Sequence, residues 1–250
     1  MAAEAEAEAA APVPRDRTFH LDGASFVVDA SGQVKARDLS GDTFLLRKTE
    51  RAIEYYRLLA QRRPRHILEL GMREGGSIAL WDKLYAPEVL VGLDPRGAAI
   101  EAVELYRADR PHIRTYYGRN PDKPGAVMAA RESFPTGPDL IIDDASHRYE
   151  ETKTTFESLF PLLRPGGTYV VEGWNWSHRP AAQKETHPGW QQKALTNLLF
   201  ELTVLASNSR VIEHLHVEEG LFAVRKGSGT LPAGGLATGM ALRGRELPDI

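Results

Sequence analysis

The residues best suited to chemistry lie in one short segment, Asp143-Asp144-Ala-Ser-His147. Adjacent side chains at the end of an extended segment point to opposite sides, so one carboxylate can face a cofactor while the other faces a metal or a substrate. A histidine three residues later can remove a proton from a hydroxyl near neutral pH. A purely structural explanation also exists, in which Asp144 or Ser146 caps the next helix and His147 is a loop residue.

A glycine-rich segment, Glu69-Leu-Gly71-Met-Arg-Glu-Gly-Gly-Ser77, follows an apolar run. Glycine there lets a ligand approach the backbone, and the next helix offers free N–H groups. A dinucleotide-binding loop needs G-x-G-x-x-G, but Arg73 stands at the second glycine position, which argues against a nicotinamide enzyme. Asp94 ends the following apolar run, where a carboxylate can accept both hydroxyls of a ribose. The alternative is a glycine turn with an aspartate that caps a helix.

A third segment, Gly166-Gly167-Thr-Tyr-Val-Val-Glu172-Gly-Trp174-Asn-Trp176-Ser-His178, also ends an apolar run. We expect Glu172 to face the same crevice as Asp144. Trp174 and His178, together with Trp176, are predicted to wall a substrate pocket. The alternative is that the tryptophan packs on the sheet edge and the histidine is a surface residue.

Five short apolar runs carry these polar residues at their ends, and helical segments separate them. Continuous apolar runs are typical of strands covered on both faces. The sequence therefore predicts an α/β fold, a Rossmann-like, doubly wound, mostly parallel seven-stranded sheet that closes with a C-terminal antiparallel hairpin. Ligands bind such sheets at the carboxyl ends of the strands. The apolar runs are residues 66–70, 89–93, 113–117, 140–142 and 167–171.

The ends of the chain differ in composition from its middle. Residues 1–17 are predicted to be a disordered acidic tail, and residues 227–250, which are rich in glycine, a flexible C-terminal tail. Residues 18–63 are expected to form a small N-terminal hairpin followed by a helix over 43–63. Residues 64–226 then form the main α/β domain, in which residues 190–206 are predicted to be helical.

Composition excludes several classes of protein. The chain has 250 residues, a formal charge of −3 and no cysteine, which rules out disulfides, thiolate metal sites and a cysteine nucleophile. The near-neutral charge argues against a nucleic-acid partner. The sequence contains no run of about 18 apolar residues, so we predict no membrane span. The nearest match to the hydrolase motif G-x-S-x-G, at Gly75, lies too far past its strand to form a nucleophile elbow. We expect a cytoplasmic protein.

Taken together, these motifs resemble class I S-adenosylmethionine-dependent methyltransferases. More narrowly, they resemble the natural-product group that contains the macrocin and mycinamicin sugar O-methyltransferases and the cephalosporin hydroxylase-like proteins. The resemblance covers about residues 67–176 and is carried by Gly71 with its flanks, Asp94, the D-D-x-S-H segment at 143–147 and the G-G-x-Y-V-x-E segment at 166–172.

The resemblance implies a role for each motif. The residues implied in cofactor binding are Glu69, Gly71 and Ser77 at the methionine end, Asp94 at the ribose, Tyr117, Gly118 and Arg119 near the adenine, and Asp143 near the sulfonium. In the macrolide-sugar enzymes, the second aspartate of D-D-x-S-H and a Glu-Asp pair bind Mg²⁺. This chain keeps Asp144 and Glu172 but has Gly173 in place of the last aspartate, so the resemblance leaves a metal requirement open.

The function implied is transfer of a methyl group from S-adenosylmethionine to a hydroxyl of a small-molecule natural product, a sugar or a polyketide. His147 would act as the general base, and Asp144 would assist it. Two alternatives stay open: an N-methyltransferase that acts on an amino group, and a non-catalytic homologue that binds the cofactor. The expected assembly is a homo-oligomer.

Overall fold

The computed structural model describes residues 17–36, 39 and 41–250. Apart from Arg17, the predicted acidic tail lies outside the described residues. The N-terminal part forms a three-stranded sheet from β1 (Thr18–Leu21), β2 (Ala24–Val28) and β3 (Thr43–Leu46). Strands β1 and β2 pair antiparallel around the predicted turn, whereas β3 joins β2 in parallel. Helix α1 (Glu50–Leu59) follows directly.

The main domain contains a seven-stranded sheet, as the sequence predicts. Its strands are β4 (His66–Leu70), β5 (Val89–Asp94), β6 (Ile113–Tyr117), β7 (Leu140–Asp143), β8 (Thr168–Glu172), β9 (Ile212–Glu218) and β10 (Leu221–Lys226). Their order across the sheet is β6-β5-β4-β7-β8-β10-β9. Only β10 runs antiparallel to its neighbours, which confirms the predicted mostly parallel sheet with a terminal hairpin.

Helices cover both faces of this sheet, and side chains alternate between two cores. Leu68 and Ile141 face one core, beneath the helices in the second half of the domain. Ile67 and Leu140 face the other, beneath the N-terminal sheet and the first helices. Within the described part of the chain, no helix is both long and apolar enough to cross a membrane. The remaining helices are α2 (Gly76–Tyr85), α3 (Glu101–Arg107), α4 (Pro124–Ser133), α5 (Tyr149–Leu159), α6 (Thr196–Asn208) and α7 (Leu236–Gly239).

The prediction of a single helix over 43–63 was wrong, because its first residues form β3. Leu45 and Leu46 are buried through pairing with β2, and an apolar run of this length is ambiguous between strand and helix. The helix begins only after Thr49, whose hydroxyl accepts a hydrogen bond from the Ala52 N–H and caps it. Likewise, the helix predicted over 190–206 begins at Thr196.

Residues 227–250, predicted to be a flexible tail, contact the domain at several points. Leu231 and Leu236 are buried in the core, and the Leu236 N–H donates to Glu157. The Ile250 carbonyl accepts from the Ala194 N–H at 2.7 Å. Flexibility itself stays a prediction.

The chain reverses its direction across the sheet between β4 and β7. It runs outward from β4 through β5 to β6, and then returns to β7 and continues to β8. A crevice opens at such a switch point, at the carboxyl ends of the strands. Here the backbones come very close: Gly71 has a φ of +84°, and a Cβ at this position would lie 2.4 Å from the Asp144 carbonyl oxygen. Only glycine fits this contact.

Candidate functional site

Two cavities meet at the switch point. One, of about 340 Å³, is lined by Gly71, Arg73, Asp94, Arg96 and Asp144 among others. The second, of about 390 Å³, lies beneath the N-terminal sheet. Arg73 and Asp144 line both, so a molecule in one cavity can meet a molecule in the other there. The second cavity is lined by Lys48, Asp144, His147, Glu172, Gly173 and Trp176, among others.

Asp94 lies at the floor of the first cavity and is buried. Its Oδ2 accepts from the Met72 N–H at 3.0 Å, and its two oxygens accept from Arg96 at 2.8 Å each. Burial raises the pKa of this carboxyl, but the hydrogen bonds from Arg96 and Met72 outweigh it and lower the pKa overall. Asp94 is therefore an ionised hydrogen-bond acceptor at the end of β5, as ribose binding requires. In this structure both of its carboxylate oxygens accept hydrogen bonds from Arg96.

His147 stands at the border of the second cavity in a defined orientation. Its φ of +56° is in the left-handed region, which few non-glycine residues adopt. Nδ1 lies 3.1 Å from the Glu172 carbonyl oxygen, and because a carbonyl oxygen only accepts, Nδ1 carries the proton in this contact. In the neutral ring Nε2 then holds the lone pair, 3.4 Å from Asp144 Oδ1 and 3.5 Å from Arg73 Nη2.

Gly173 explains how the imidazole fits. Its φ is +65°, and a Cβ there would lie 2.6 Å from His147 Nδ1. Any other side chain at position 173 would push the ring out of place. The resemblance leads one to expect an aspartate at position 173. The glycine found there instead makes room for the His147 ring.

The carboxylates predicted to bind a metal, Asp144 and Glu172, do converge, but on a lysine. Lys48 Nζ lies 2.6 Å from Glu172 Oε1 and 3.5 Å from Asp144 Oδ2, and the Tyr56 hydroxyl donates to Glu172 Oε1. All four groups are buried. Burial alone would lower the pKa of Lys48, yet the neighbouring carboxylates, Glu172 first, raise it above its ordinary value.

Glu69 lies behind this cluster and is fully buried. Ser77 and Trp81 lie close enough to its carboxyl to lower its pKa, but among the described residues no donor makes a hydrogen bond of ordinary geometry to either oxygen. Burial raises its pKa to about 7, although the nearby Lys48 ammonium opposes this shift. Glu69 therefore titrates near neutral pH.

The other residues implied at the cofactor are spread around the strand ends. Ser77 lies in the first turn of α2, near Glu69. Asp143 is not among the lining residues of either cavity: its Oδ2 accepts from the Tyr169 hydroxyl at 2.9 Å, and burial raises its pKa to about 6. The Tyr117 hydroxyl donates to Glu104.

Gly118 and Arg119 fix the loop after β6 through their backbone. The Gly118 N–H donates to the Arg96 carbonyl and the Arg119 N–H to the Asp94 carbonyl. A third cavity, of about 440 Å³, begins just beyond them and is lined by Asn120, Pro121 and Ser146 among others. It adjoins the Asp94 cavity, because Pro95 and Ala145 line both.

Of the three residues predicted to wall the substrate pocket, Trp174 and His178 do not line the second cavity. The Trp174 indole donates to the Glu218 carbonyl at 3.0 Å and packs on Phe222, which follows the alternative of packing at the sheet edge. His178 is hydrogen-bonded to Thr196. Trp176 instead lines the cavity, where its indole donates to the His147 carbonyl at 2.8 Å.

Sequence reasoning missed four residues of the site: Lys48, Tyr56, Arg73 and Arg96. Lys48 and Tyr56 come from the N-terminal segment, far from the motifs in sequence. The basic pair Arg47-Lys48 before the helix cap Thr49 is a usable signal, but the prediction of a helix over residues 43–63 masks it.

Comparisons with known proteins point to one group. No protein-family model matches the chain. Over 116 residues it is 35% identical to demethylmacrocin O-methyltransferase from Streptomyces fradiae, which covers 46% of this chain and 27% of that protein. Over 98 residues it is 35% identical to mycinamicin VI 2''-O-methyltransferase from Micromonospora griseorubida, which covers 39% and 22%. The matches thus span only about a quarter of each relative.

Solved structures that resemble this chain are also named as methyltransferases. A methyltransferase of the mycinamycin biosynthetic pathway, in complex with Mg, SAH and mycinamycin VI, matches with a TM-score of 0.55 and 28% identity over 72% of this chain and 51% of that one. A putative caffeoyl-CoA O-methyltransferase from Staphylococcus aureus, 15% identical, has a TM-score of 0.55 over 72% and 85%, and shows the fold alone. The resemblance to class I methyltransferases of the macrolide-sugar group is confirmed, and these relatives support the prediction of a methyltransferase.

Proposed function

We propose that this chain is an S-adenosylmethionine-dependent O-methyltransferase that acts on a hydroxyl of a small-molecule natural product, a sugar or a polyketide. The observation that carries this proposal is the meeting of two cavities at Asp144, with the lone pair of His147 Nε2 beside it. One cavity offers an ionised carboxylate for a nucleoside, and the other offers a base.

The residues of the first cavity fit the cofactor. Asp94 has the chemistry to accept ribose hydroxyls, and Gly71 keeps the strand end free of a side chain. Arg96 must release at least one Asp94 oxygen, and its half-exposed side chain is free to do so. Bound there, the cofactor supplies an electrophilic methyl group on a sulfonium.

In the second cavity, His147 would take the proton of the acceptor hydroxyl on Nε2. Its Nδ1–H is held by the Glu172 carbonyl, and the Asp144 carboxylate beside Nε2 stabilises the imidazolium that forms. A positioned base of this kind contributes about 10²- to 10⁴-fold to the rate. Alignment of the hydroxyl with the methyl group supplies the rest of the catalysis.

The acceptor class is inferred from the relatives. They are named for macrolide and tetracenomycin sugars, and one solved relative holds mycinamycin VI. Because this chain matches only part of each relative, the acceptor of the whole protein is a proposal. Homo-oligomeric assembly and a cytoplasmic location also stay predictions.

The test replaces His147 with alanine. We expect turnover of methyl-labelled S-adenosylmethionine on desmethyl sugar-bearing macrolides to fall about 10²- to 10⁴-fold. Affinity for S-adenosylhomocysteine, measured by calorimetry, should stay unchanged, since His147 lies outside the Asp94 cavity. The exposed His20 provides the control, His20→Ala, which should keep full turnover. Full activity of His147→Ala would disprove the base.

A further inference from the structure

In this chain, the two carboxylates at the position of the expected Mg²⁺ site already share a cation. Lys48 reaches both Asp144 and Glu172, at 3.5 Å and 2.6 Å, and only 2% of its side chain is exposed. We propose that the Lys48 ammonium is the resident cation of this site and that the chain needs no divalent metal.

The donor set does not fit Mg²⁺. This ion requires near-octahedral oxygen coordination at about 2.0–2.1 Å. Position 173 offers no donor side chain, and Glu172 Oε1 already accepts from both Lys48 and Tyr56. A second cation between the same oxygens would lie within a few ångströms of Nζ, where like charges in buried surroundings repel strongly. Among the residues that the structure describes, no group of three or more His, Cys, Asp or Glu side chains is arranged to hold a metal.

Lys48 also connects to the base. The Lys48 ammonium donates to the Glu172 carboxylate. The backbone carbonyl of Glu172 accepts the His147 Nδ1–H, and the Asp144 carboxylate lies beside Nε2. Lys48 is therefore a positioning residue: it fixes the two residues that orient the imidazole. This role rests on the proposed function, but the identity of the resident cation does not, because it can be measured without cofactor or acceptor.

The experiment uses Mn²⁺ as the probe and follows the free-ion signal by electron paramagnetic resonance. Wild type should leave the signal unchanged at millimolar Mn²⁺. Lys48→Ala frees the two carboxylates and should bind Mn²⁺ at least about tenfold more tightly than wild type. Adding Asp144→Asn to Lys48→Ala should abolish this binding. The control is Lys35→Ala: Lys35 lines the same cavity but bonds to the Gly32 carbonyl, so this variant should bind Mn²⁺ no better than wild type.

Two outcomes of the Mn²⁺ binding measurement would overturn the proposal. One is stoichiometric Mn²⁺ binding by wild type that disappears in Asp144→Asn. The other is a folded Lys48→Ala chain that binds Mn²⁺ no better than wild type. If Lys48→Ala does not fold, the wild-type measurement still decides, together with turnover in excess EDTA, which should be unchanged. A turnover that EDTA removes and Mg²⁺ restores would also contradict it, whereas failure to bind S-adenosylhomocysteine would count only against the proposed function.

Discussion

Gly173 leaves space for the His147 ring, because a Cβ at position 173 would lie 2.6 Å from His147 Nδ1. The resemblance leads one to expect a carboxylate there, so the residue that lacks a metal donor also makes room for the proposed base. The positive φ of Gly173 can be inferred from no motif, because it depends on how the loops after β7 and β8 meet. Asp94, Asp144, His147 and Glu172 were predictable from the strand ends that carry them.

Replacing Gly173 with alanine should therefore damage catalysis as well as stability. The positive φ costs about 1–3 kcal/mol of unfolding free energy, and displacement of the imidazole should lower turnover about 10²-fold. Gly23→Ala is the matched control, because Gly23 has a φ of +78° and open space around its Cβ position. If both variants lose the same fraction of turnover, the contact with His147 is irrelevant to catalysis.

Glu69 should make stability depend on pH. Its pKa rises from an ordinary value of 4.5 to about 7 through burial, so the folded chain holds this proton more tightly than the unfolded chain does. The free energy of unfolding should then fall as pH rises from about 4.5 to about 7, by about 3 kcal/mol from this group.

Glu69→Gln removes this dependence, so the variant should match wild type at pH 5 and exceed it at pH 8 in denaturant unfolding. Glu54→Gln, at an exposed position of α1, is the control and should show no such difference. If Glu69→Gln changed the free energy of unfolding equally at both pH values, the raised pKa of Glu69 would be contradicted.

The N-terminal segment supplies two residues of the site, although it lies outside the main sheet. Strand β3 ends just before Lys48, and α1 carries Tyr56 down onto Glu172. The mostly parallel character of the main sheet could be predicted, because apolar runs alternate with helices. Strand β3 could not, because its identity depends on parallel pairing with β2, which local pattern does not encode.

Tyr56→Phe tests the link between α1 and the site. It removes one hydroxyl donor from a buried carboxylate and should lower the free energy of unfolding by about 1–3 kcal/mol. Turnover should fall as well, since Glu172 also orients His147. The control is Tyr55→Phe on the same helix, whose ring stacks on His216 and which should retain both properties. A Tyr56→Phe variant as stable and as active as Tyr55→Phe would show that α1 does not support the site.

At the scale of the whole molecule, the fold brings motifs about 100 residues apart to one edge of a sheet. Glu69 and Gly71 come from the first strand of the main sheet, and Glu172 from the fifth. The three cavities at this edge adjoin through Asp144, Pro95 and their neighbours. An elongated ligand could thus extend from the loop after β6 to the base. The solved mycinamycin relative is about twice as long as the region matched.

The proposed function requires that the cavity lined by Asp94 bind a nucleoside cofactor next to His147. Calorimetry of S-adenosylhomocysteine binding to wild type and to Asp94→Ala measures this binding. We expect micromolar binding to wild type and at least about tenfold weaker binding to Asp94→Ala, because the ribose loses its charged acceptor. Absence of binding to wild type, or equal affinity for both chains, would contradict it.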